Sequence, residues 1–337
     1  MSQKIRVLLS KDFFEKDLEY IHSQLVENVE LVKPAAFTPE AIAGAVKDNI
    51  HAILGEPPAK VVLDNAKDLK LIQVPWTGVD RLDFELLKQY PFLVCNSHSN
   101  AVVVAEYAVA MMLAVAKWLP LHDRYLRKGR WCRPQQDRES FFLPPEPVYG
   151  KTVLIIGYGA VGQYIAKLLT GFSVELQAVD AKEHAIPPEP LSKIVQPLHM
   201  LDIAAEADFL FVAVPLTNKS RGMINRSLFD IMKPTSYFIN TSRGEVVEEE
   251  DLYNALKNKE IAGAAIDTWY NYPKPGEPDV LPSQRFPFHK LDNVVLSPHR
   301  AGFARAMFPH LDDAIENLNR LAMGKELINV VDLEEGY

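Results

Sequence analysis

Cysteine is nearly absent: Cys95 and Cys132 are the only two in 337 residues, with no C-x-x-C pair and no cluster. A disulfide framework and a metal site are therefore not expected, and the chain reads as intracellular and cytoplasmic. Positive charge is also short, 36 Lys and Arg against 44 Asp and Glu, for a net charge of −8. No basic field exists to attract nucleic acid or an anionic membrane surface, so neither is expected as a partner. A small anionic substrate would have to be drawn by local positive charge in a cleft. Long apolar runs are missing too. The longest, Ala101 to Ala116, is interrupted by Glu106 and is too short to span a bilayer. The first dozen residues hold no signal-peptide core and look like a strand at Ile5–Leu9. Internal repeats and low-complexity tracts are absent. What remains is 48% hydrophobic and 24% charged, an ordinary globular composition with length for two domains.

The first hundred residues alternate strand-like and helix-like segments. Strands are expected at 5–9, 30–32, 52–54, 71–74 and 93–95, with helices at 14–25, 39–46, 60–65 and 84–90. That alternation predicts a small parallel-sheet domain. Residues 101–119 read as one long helix rich in Ala, Val and Met. From Pro120 to Gly150 the prolines 134, 144, 145 and 147 predict an irregular extended arm. A second series of six strands follows, near 153–156, 174–179, 209–214, 236–240, 262–266 and 293–296, and a last helix is expected over 301–323.

Residues 153–180 carry the sharpest chemical signal. An apolar run, Val153–Ile156, has the length and branching of a buried parallel strand. It leads into Gly157-x-Gly159-x-x-Gly162, then a helical pattern starting at Ala160 and Val161. A second strand, Val174–Val179, ends in Asp180, 18 residues after Gly162. Gly157 allows the tight turn, Gly159 lets a pyrophosphate approach the backbone, and Gly162 permits close helix–strand packing. The helix start offers unpaired N–H groups and positive dipole to the phosphates. Asp180 would accept hydrogen bonds from adenosine ribose hydroxyls and repel a 2′-phosphate, which favours NAD over NADP, although Lys182 stands close by. The expected fold is α/β, with two doubly wound parallel-sheet domains.

Read together with four further segments, the chain resembles the D-2-hydroxyacid dehydrogenase family over nearly its whole length. Those segments are SNAVVVAEYAVAMML (99–113), FVAVPLTNKSRGMIN (211–225), FINTSRGEVVEEEDLYNAL (238–256) and VVLSPHRAGF (294–303). The resemblance implies a Rossmann nucleotide-binding domain, residues 99–300, inserted in a flavodoxin-like substrate domain of residues 1–98 and 301–337. It also implies an active site in the cleft between them and a homodimer, with the 101–119 helix and the proline-rich arm in the contact.

The resemblance assigns roles residue by residue. Arg243 follows a strand in Thr241-Ser242-Arg243-Gly244, where a guanidinium can hold a substrate carboxylate bidentately and polarise its keto oxygen. His299, in Ser297-Pro298-His299, would exchange a proton with that oxygen, and the ordinary histidine pKa suits both directions. Thr77 and Gly78 would turn backbone N–H groups to the substrate carboxylate, with Trp76 either shaping the pocket or packing plainly. Asn100 is either a substrate contact or a helix N-cap. Val214, Pro215, Thr241 and Ser242 would line the cofactor cleft, and Asp267 would face the nicotinamide end. NAD is the expected cofactor.

One position departs from the family. Most members carry a glutamate five residues after the aspartate that matches Asp267, paired with the histidine; here it is Tyr272. A tyrosine can orient the imidazole but adds no charge, so the rate of keto-acid reduction should fall as pH rises through the ordinary histidine range. Glu277 or Asp279 could instead swing in from the loop after Pro273. Two other functions stay open on this fold: a non-catalytic NAD-binding regulatory protein, and a formate- or phosphite-like dehydrogenase.

Overall fold

The computed structural model describes residues 4–47, 49–131, 144–274, 276–305 and 308–337. They form two compact units, Met1–Asn100 with Ala304–Tyr337, and Ala101–Phe303.

The first unit alternates β1 (Ile5–Leu9), α1 (Glu15–Gln24), β2 (Val29–Val32), α2 (Pro39–Ala45), β3 (Ala52–Leu54), α3 (Lys60–Leu63), β4 (Leu71–Gln73), α4 (Phe84–Leu87) and β5 (Leu93–Cys95). All five strands pair parallel in the order β2-β1-β3-β4-β5. The central strands are short, mostly apolar and largely buried, as strands with helices on both faces require, with Arg6 of β1 and Gln73 of β4 the polar exceptions. Thr38 starts α2 by accepting from Ala41 N–H at 3.3 Å, and Asp83 starts α4 by accepting from Leu86 N–H at 3.0 Å. Burial pushes the Cys95 thiol up to about 12, which makes it a core residue and no nucleophile.

The chain returns to this unit with a helix at Pro309–Met323 (numbered α11 below), not from residue 301. Proline fits the first turn because it has no N–H to lose, and Gly324, at φ +65°, closes the last turn. A buried polar bolt fixes it. Asn317 Nδ2 donates to Gln73 Oε1 at 2.8 Å and to Ile328 O at 2.9 Å, while its Oδ1 accepts from Ile328 N–H at 2.8 Å. Gln73 Nε2 donates in turn to the carbonyls of Val74 and Asn96. Both amides are fully buried and used on each side, so the register of this helix against β4 is specified.

The second unit contains α5 (Ala101–Ala116), α6 (Leu119–Leu126), β6 (Thr152–Ile156), α7 (Ala160–Leu169), β7 (Glu175–Val179), β8 (Lys193–Val195), α8 (Met200–Ala204), β9 (Phe209–Val212), α9 (Arg226–Phe229), β10 (Tyr237–Asn240), α10 (Glu249–Lys257), β11 (Gly263–Ile266) and β12 (Val294–Leu296). Its seven parallel strands run β12-β11-β10-β9-β6-β7-β8, so the order reverses beside β6, the strand that leads into the glycine loop.

Two expectations need correction here. The helix read over 101–119 stops at Ala116, where Trp118 takes a left-handed φ of +53° and Pro120 sits in the first turn of α6. The stretch read as irregular from Pro120 therefore begins with a helix. Residues 132–143 of the expected arm, including Cys132 and Pro134, lie outside the described residues. The sheet also has a seventh strand, β8, a three-residue edge piece behind Pro187, Pro188 and Pro190 with too little apolar pattern to show. Among the described residues no single helix is long and apolar enough to cross a membrane. The bent pair α5 and α6 passes only jointly, across a 59° break.

Candidate active site

Because every strand in each sheet is parallel, the residues that leave the strands all gather at one edge. In the second unit that edge carries Gly157 after β6, Asp180 after β7, Val214 and Pro215 after β9, Thr241–Arg243 after β10, Asp267 after β11 and Ser297–His299 after β12. In the first unit it carries Lys11 after β1, Gly55 after β3, Trp76–Gly78 after β4 and Asn100 after β5.

The three glycines divide the work as expected of a dinucleotide loop. Gly157 has φ +100°, and a Cβ there would stand 2.6 Å from Ala213 O and 2.9 Å from Val214 Cγ1. A Cβ on Gly162 would collide with Gly157 O, so α7 can press onto the turn only through glycine. Gly159, the N-cap of α7, has nothing within 4 Å of its Cβ position. It therefore borders open space in front of the Ala160 and Val161 N–H groups, which an α-helix leaves unpaired in its first turn. The backbone here fits a pyrophosphate.

Asp180 is held by its own loop. Its Oδ2 lies 2.7 Å from His184 Nε2, and its Oδ1 accepts from Lys182 N–H at 3.4 Å. His184 went unnoticed in the sequence because a lone histidine past a strand end has no signature.

The Arg243 turn is organised by Asn240, the buried last residue of β10. Asn240 Oδ1 accepts from Ser242 N–H and Ser242 Oγ, both at 3.0 Å, and its Nδ2 donates to Arg243 O at 3.1 Å. Arg243 itself is half-buried and donates from one terminal nitrogen to Ser242 O at 2.8 Å. Gly244 is required because a Cβ there would stand 2.5 Å from Trp269 O. Burial pushes the Tyr270 phenol well up, and its hydroxyl donates to Val247 O at 3.1 Å, so it braces this turn as a neutral group.

His299 sits on a constrained turn with φ +55°, uncommon for a residue with a side chain. Asp267 holds that turn. The fully buried carboxylate accepts from Ser297 Oγ and from Arg300 N–H (2.8 Å) on Oδ1, and from Ala301 N–H (3.1 Å) on Oδ2. From the sequence Asp267 was assigned only a nicotinamide contact; in the structure it positions the histidine turn. Trp269 Nε1 adds a bond to Ser297 O at 2.8 Å, and Tyr107 Oη lies 2.9 Å from Ser297 Oγ. Tyr272 packs beside His299, with ring centroids 5.6 Å apart, and its hydroxyl oxygen accepts from Trp269 N–H at 2.9 Å. Glu277 and Asp279 are exposed, and Glu277 faces Lys274 at 4.0 Å. Asn240, Ser297 and Trp269 are the members that escaped the sequence reading. Their work is to hold turns through hydrogen bonds to backbone and to other side chains, which leaves no spacing pattern.

In the first unit Thr77 Oγ1 donates to Asn100 Oδ1 at 2.8 Å, which joins two candidate residues and leaves the Asn100 amide hydrogens as donors. Asn96 Nδ2 supports the turn through Thr77 O at 2.7 Å. Among the described residues, neither the Thr77 nor the Gly78 N–H donates a hydrogen bond within the protein.

Comparison with known proteins gives the family. The family described as D-isomer specific 2-hydroxyacid dehydrogenase, NAD binding domain, matches residues 109–301. The chain belongs to the D-isomer-specific 2-hydroxyacid dehydrogenase family. A D-3-phosphoglycerate dehydrogenase of Archaeoglobus fulgidus is 32% identical over 98% of this chain, which spans 59% of that relative's length. A glyoxylate reductase of Pyrococcus furiosus is 33% identical over 75% of this chain and 72% of its own. Among solved structures, an NADPH-dependent glyoxylate/hydroxypyruvate reductase of Sinorhizobium meliloti in complex with NADP and malonate superposes with a TM-score of 0.74. It is 26% identical, and the match covers 99% of this chain and 98% of that one.

Proposed function

We propose that this family member is an NAD-dependent oxidoreductase that moves a hydride between nicotinamide and a small 2-hydroxy or 2-keto acid. The observation that carries the reading is the pair Arg243 and His299, on turns after the two strands that flank β11, with Asp267, which follows β11, bonded into the histidine turn. A guanidinium and an imidazole are the two groups such a reaction asks of the protein. The relatives named as glyoxylate reductase and phosphoglycerate dehydrogenase support the same substrate class.

The glycine loop, the Ala160 and Val161 N–H groups and Asp180 would hold the dinucleotide, with Val214, Pro215, Thr241 and Ser242 beside it. The nicotinamide, when bound, supplies or accepts the hydride. Arg243 holds the substrate carboxylate through paired N–H groups and polarises the neighbouring keto oxygen. His299 gives that oxygen its proton during reduction and takes it back during oxidation. Tyr272 keeps the imidazole oriented without adding charge. The Thr77 and Gly78 N–H groups and the Asn100 amide are donors for an anionic or carbonyl group.

The test is consumption of NADH and NADPH with glyoxylate and with hydroxypyruvate as acceptors. The reading expects reduction of at least one acid, faster with NADH than with NADPH because Asp180 opposes a 2′-phosphate. Equal or better use of NADPH would overturn the role given to Asp180, and failure with every 2-keto acid would overturn the reaction.

A further inference from the structure

In the order β2-β1-β3-β4-β5 the direction of winding reverses between β1 and β3. The crevice outside the carboxyl ends of strands at such a reversal is where open α/β sheets bind ligands. Two segments meet there, Ser10–Lys11 leaving β1 and Gly55–Glu56 leaving β3. Ser10 Oγ donates to Glu56 O at 2.6 Å. Gly55 takes φ +134°, and a Cβ on it would stand 2.5 Å from Ser10 Oγ, 3.0 Å from Lys11 Cγ and 3.2 Å from Lys11 N. Glycine is what lets Lys11 lie this close to β3, and the contact fixes where its side chain departs.

The Lys11 ammonium then stands over two aromatic rings, 5.0 Å from the Trp76 centroid and 5.4 Å from that of Phe13. Cation–π attraction holds it there without cancelling its charge. Among the described residues Lys11 makes no ion pair, whereas the neighbouring Asp12 faces Lys33 at 3.5 Å. Trp76 directly precedes Thr77 and Gly78, whose N–H groups are unspent. The same charge reaches His310, whose pKa is lowered by burial; Asp17 opposes this more strongly than Lys11 adds to it, and Asp312 opposes it weakly. A cation at the reversal point that makes no ion pair among the described residues, beside donors for one carboxylate, suits a ligand that carries two anionic groups.

We propose that Lys11 is a specificity-determining residue that reads a second anionic group, carboxylate or phosphate, on the substrate. The proposal rests on the dehydrogenase reading above and narrows its substrate class to 2-keto and 2-hydroxy acids with two anionic ends. The bland counterpart is a lysine that lays its stem on aromatic rings and keeps its head in water. Charge-dependent kinetics separate the two.

Steady-state reduction of glyoxylate, 2-oxoglutarate and 3-phosphohydroxypyruvate is compared for wild type, Lys11→Met and Lys11→Arg. The wild type should favour one of the two doubly charged acids, and which one distinguishes carboxylate from phosphate. Lys11→Met should lower kcat/KM for that acid by roughly 10- to 100-fold, mainly through KM, as loss of one charge-assisted contact implies. The loss on glyoxylate should be several-fold smaller, and Lys11→Arg should recover much of the preference. An equal loss on all three acids, or no loss on any, would overturn the proposal while leaving the dehydrogenase reading intact. A wild type that reduces none of them with either cofactor sinks that reading and this one together.

Discussion

At the scale of single residues, the chemistry turns on what surrounds His299. Its turn is held by a buried carboxylate, and the Tyr272 ring packs beside its imidazole. Reduction needs the imidazole protonated, so the rate is high below the histidine pKa and falls above it. A carboxylate beside the ring favours imidazolium and moves that fall to higher pH. Tyr272→Glu should therefore shift the midpoint of the reductive pH profile upward. Tyr272→Phe should leave the midpoint in place while lowering the rate, because it loses the acceptor for Trp269 N–H. Profiles measured with one 2-keto acid for the three proteins check this. A wild-type midpoint as high as that of Tyr272→Glu would mean that another carboxylate serves His299. The departure at position 272 was visible in the sequence only against the pattern of the family the chain resembles. The clamp by Asp267 was not, because two of its partners are backbone N–H groups with no residue identity and the third, the Ser297 hydroxyl, lies 30 residues away with no motif linking them.

At the scale of elements, the strand–turn–helix of residues 152–169 makes a sharp contrast between two glycines. Gly162 is fixed by protein, since a Cβ there meets Gly157 O, a backbone atom that cannot step aside. Gly159 has no atom of the described residues within 4 Å of its Cβ position. Gly162→Ala should cost on the order of 1–3 kcal/mol of stability through overpacking and weaken NADH binding as well. Gly159→Ala should leave the melting temperature close to wild type and weaken NADH binding through a methyl group in the pyrophosphate path. Thermal melts paired with NADH fluorescence titrations decide it. Equal destabilisation by both, or unweakened binding in Gly159→Ala, would contradict the assignment of the loop. Periodicity and punctuation were enough to read this element, the βα alternation of the first unit and the α/β class. They failed where other forces set the boundaries: Trp118 in a left-handed turn before α6, β8 as a short edge strand, and Pro309 as the true start of α11.

At the scale of the molecule, the first unit holds three histidines, His51 buried and His98 and His310 half-buried, and desolvation lowers the pKa of each. Arg6 N–H donates to His51 Nδ1 at 3.2 Å, a bond that a protonated ring could not accept. In the unfolded chain these rings take protons at the ordinary value near ~6.5, but in the folded chain only at lower pH. Within that window the unfolded state binds more protons, so stability rises with pH through it and is lost as pH falls. Denaturant unfolding of the wild type between neutral and mildly acidic pH should show the decline, and His51→Gln should flatten part of it. A stability that stays level across that range would contradict the neutral state of these rings.

The central claim is that Arg243 binds the substrate carboxylate for a hydride transfer in which His299 handles the proton. It is tested most directly by the turnover of Arg243→Ala on the best 2-keto acid, with NADH affinity measured on the same preparation. The account predicts that kcat/KM falls by about 10²- to 10³-fold, the size expected when one charged contact to the transition state is removed, while NADH affinity stays near wild type. Near wild-type turnover in Arg243→Ala would contradict it.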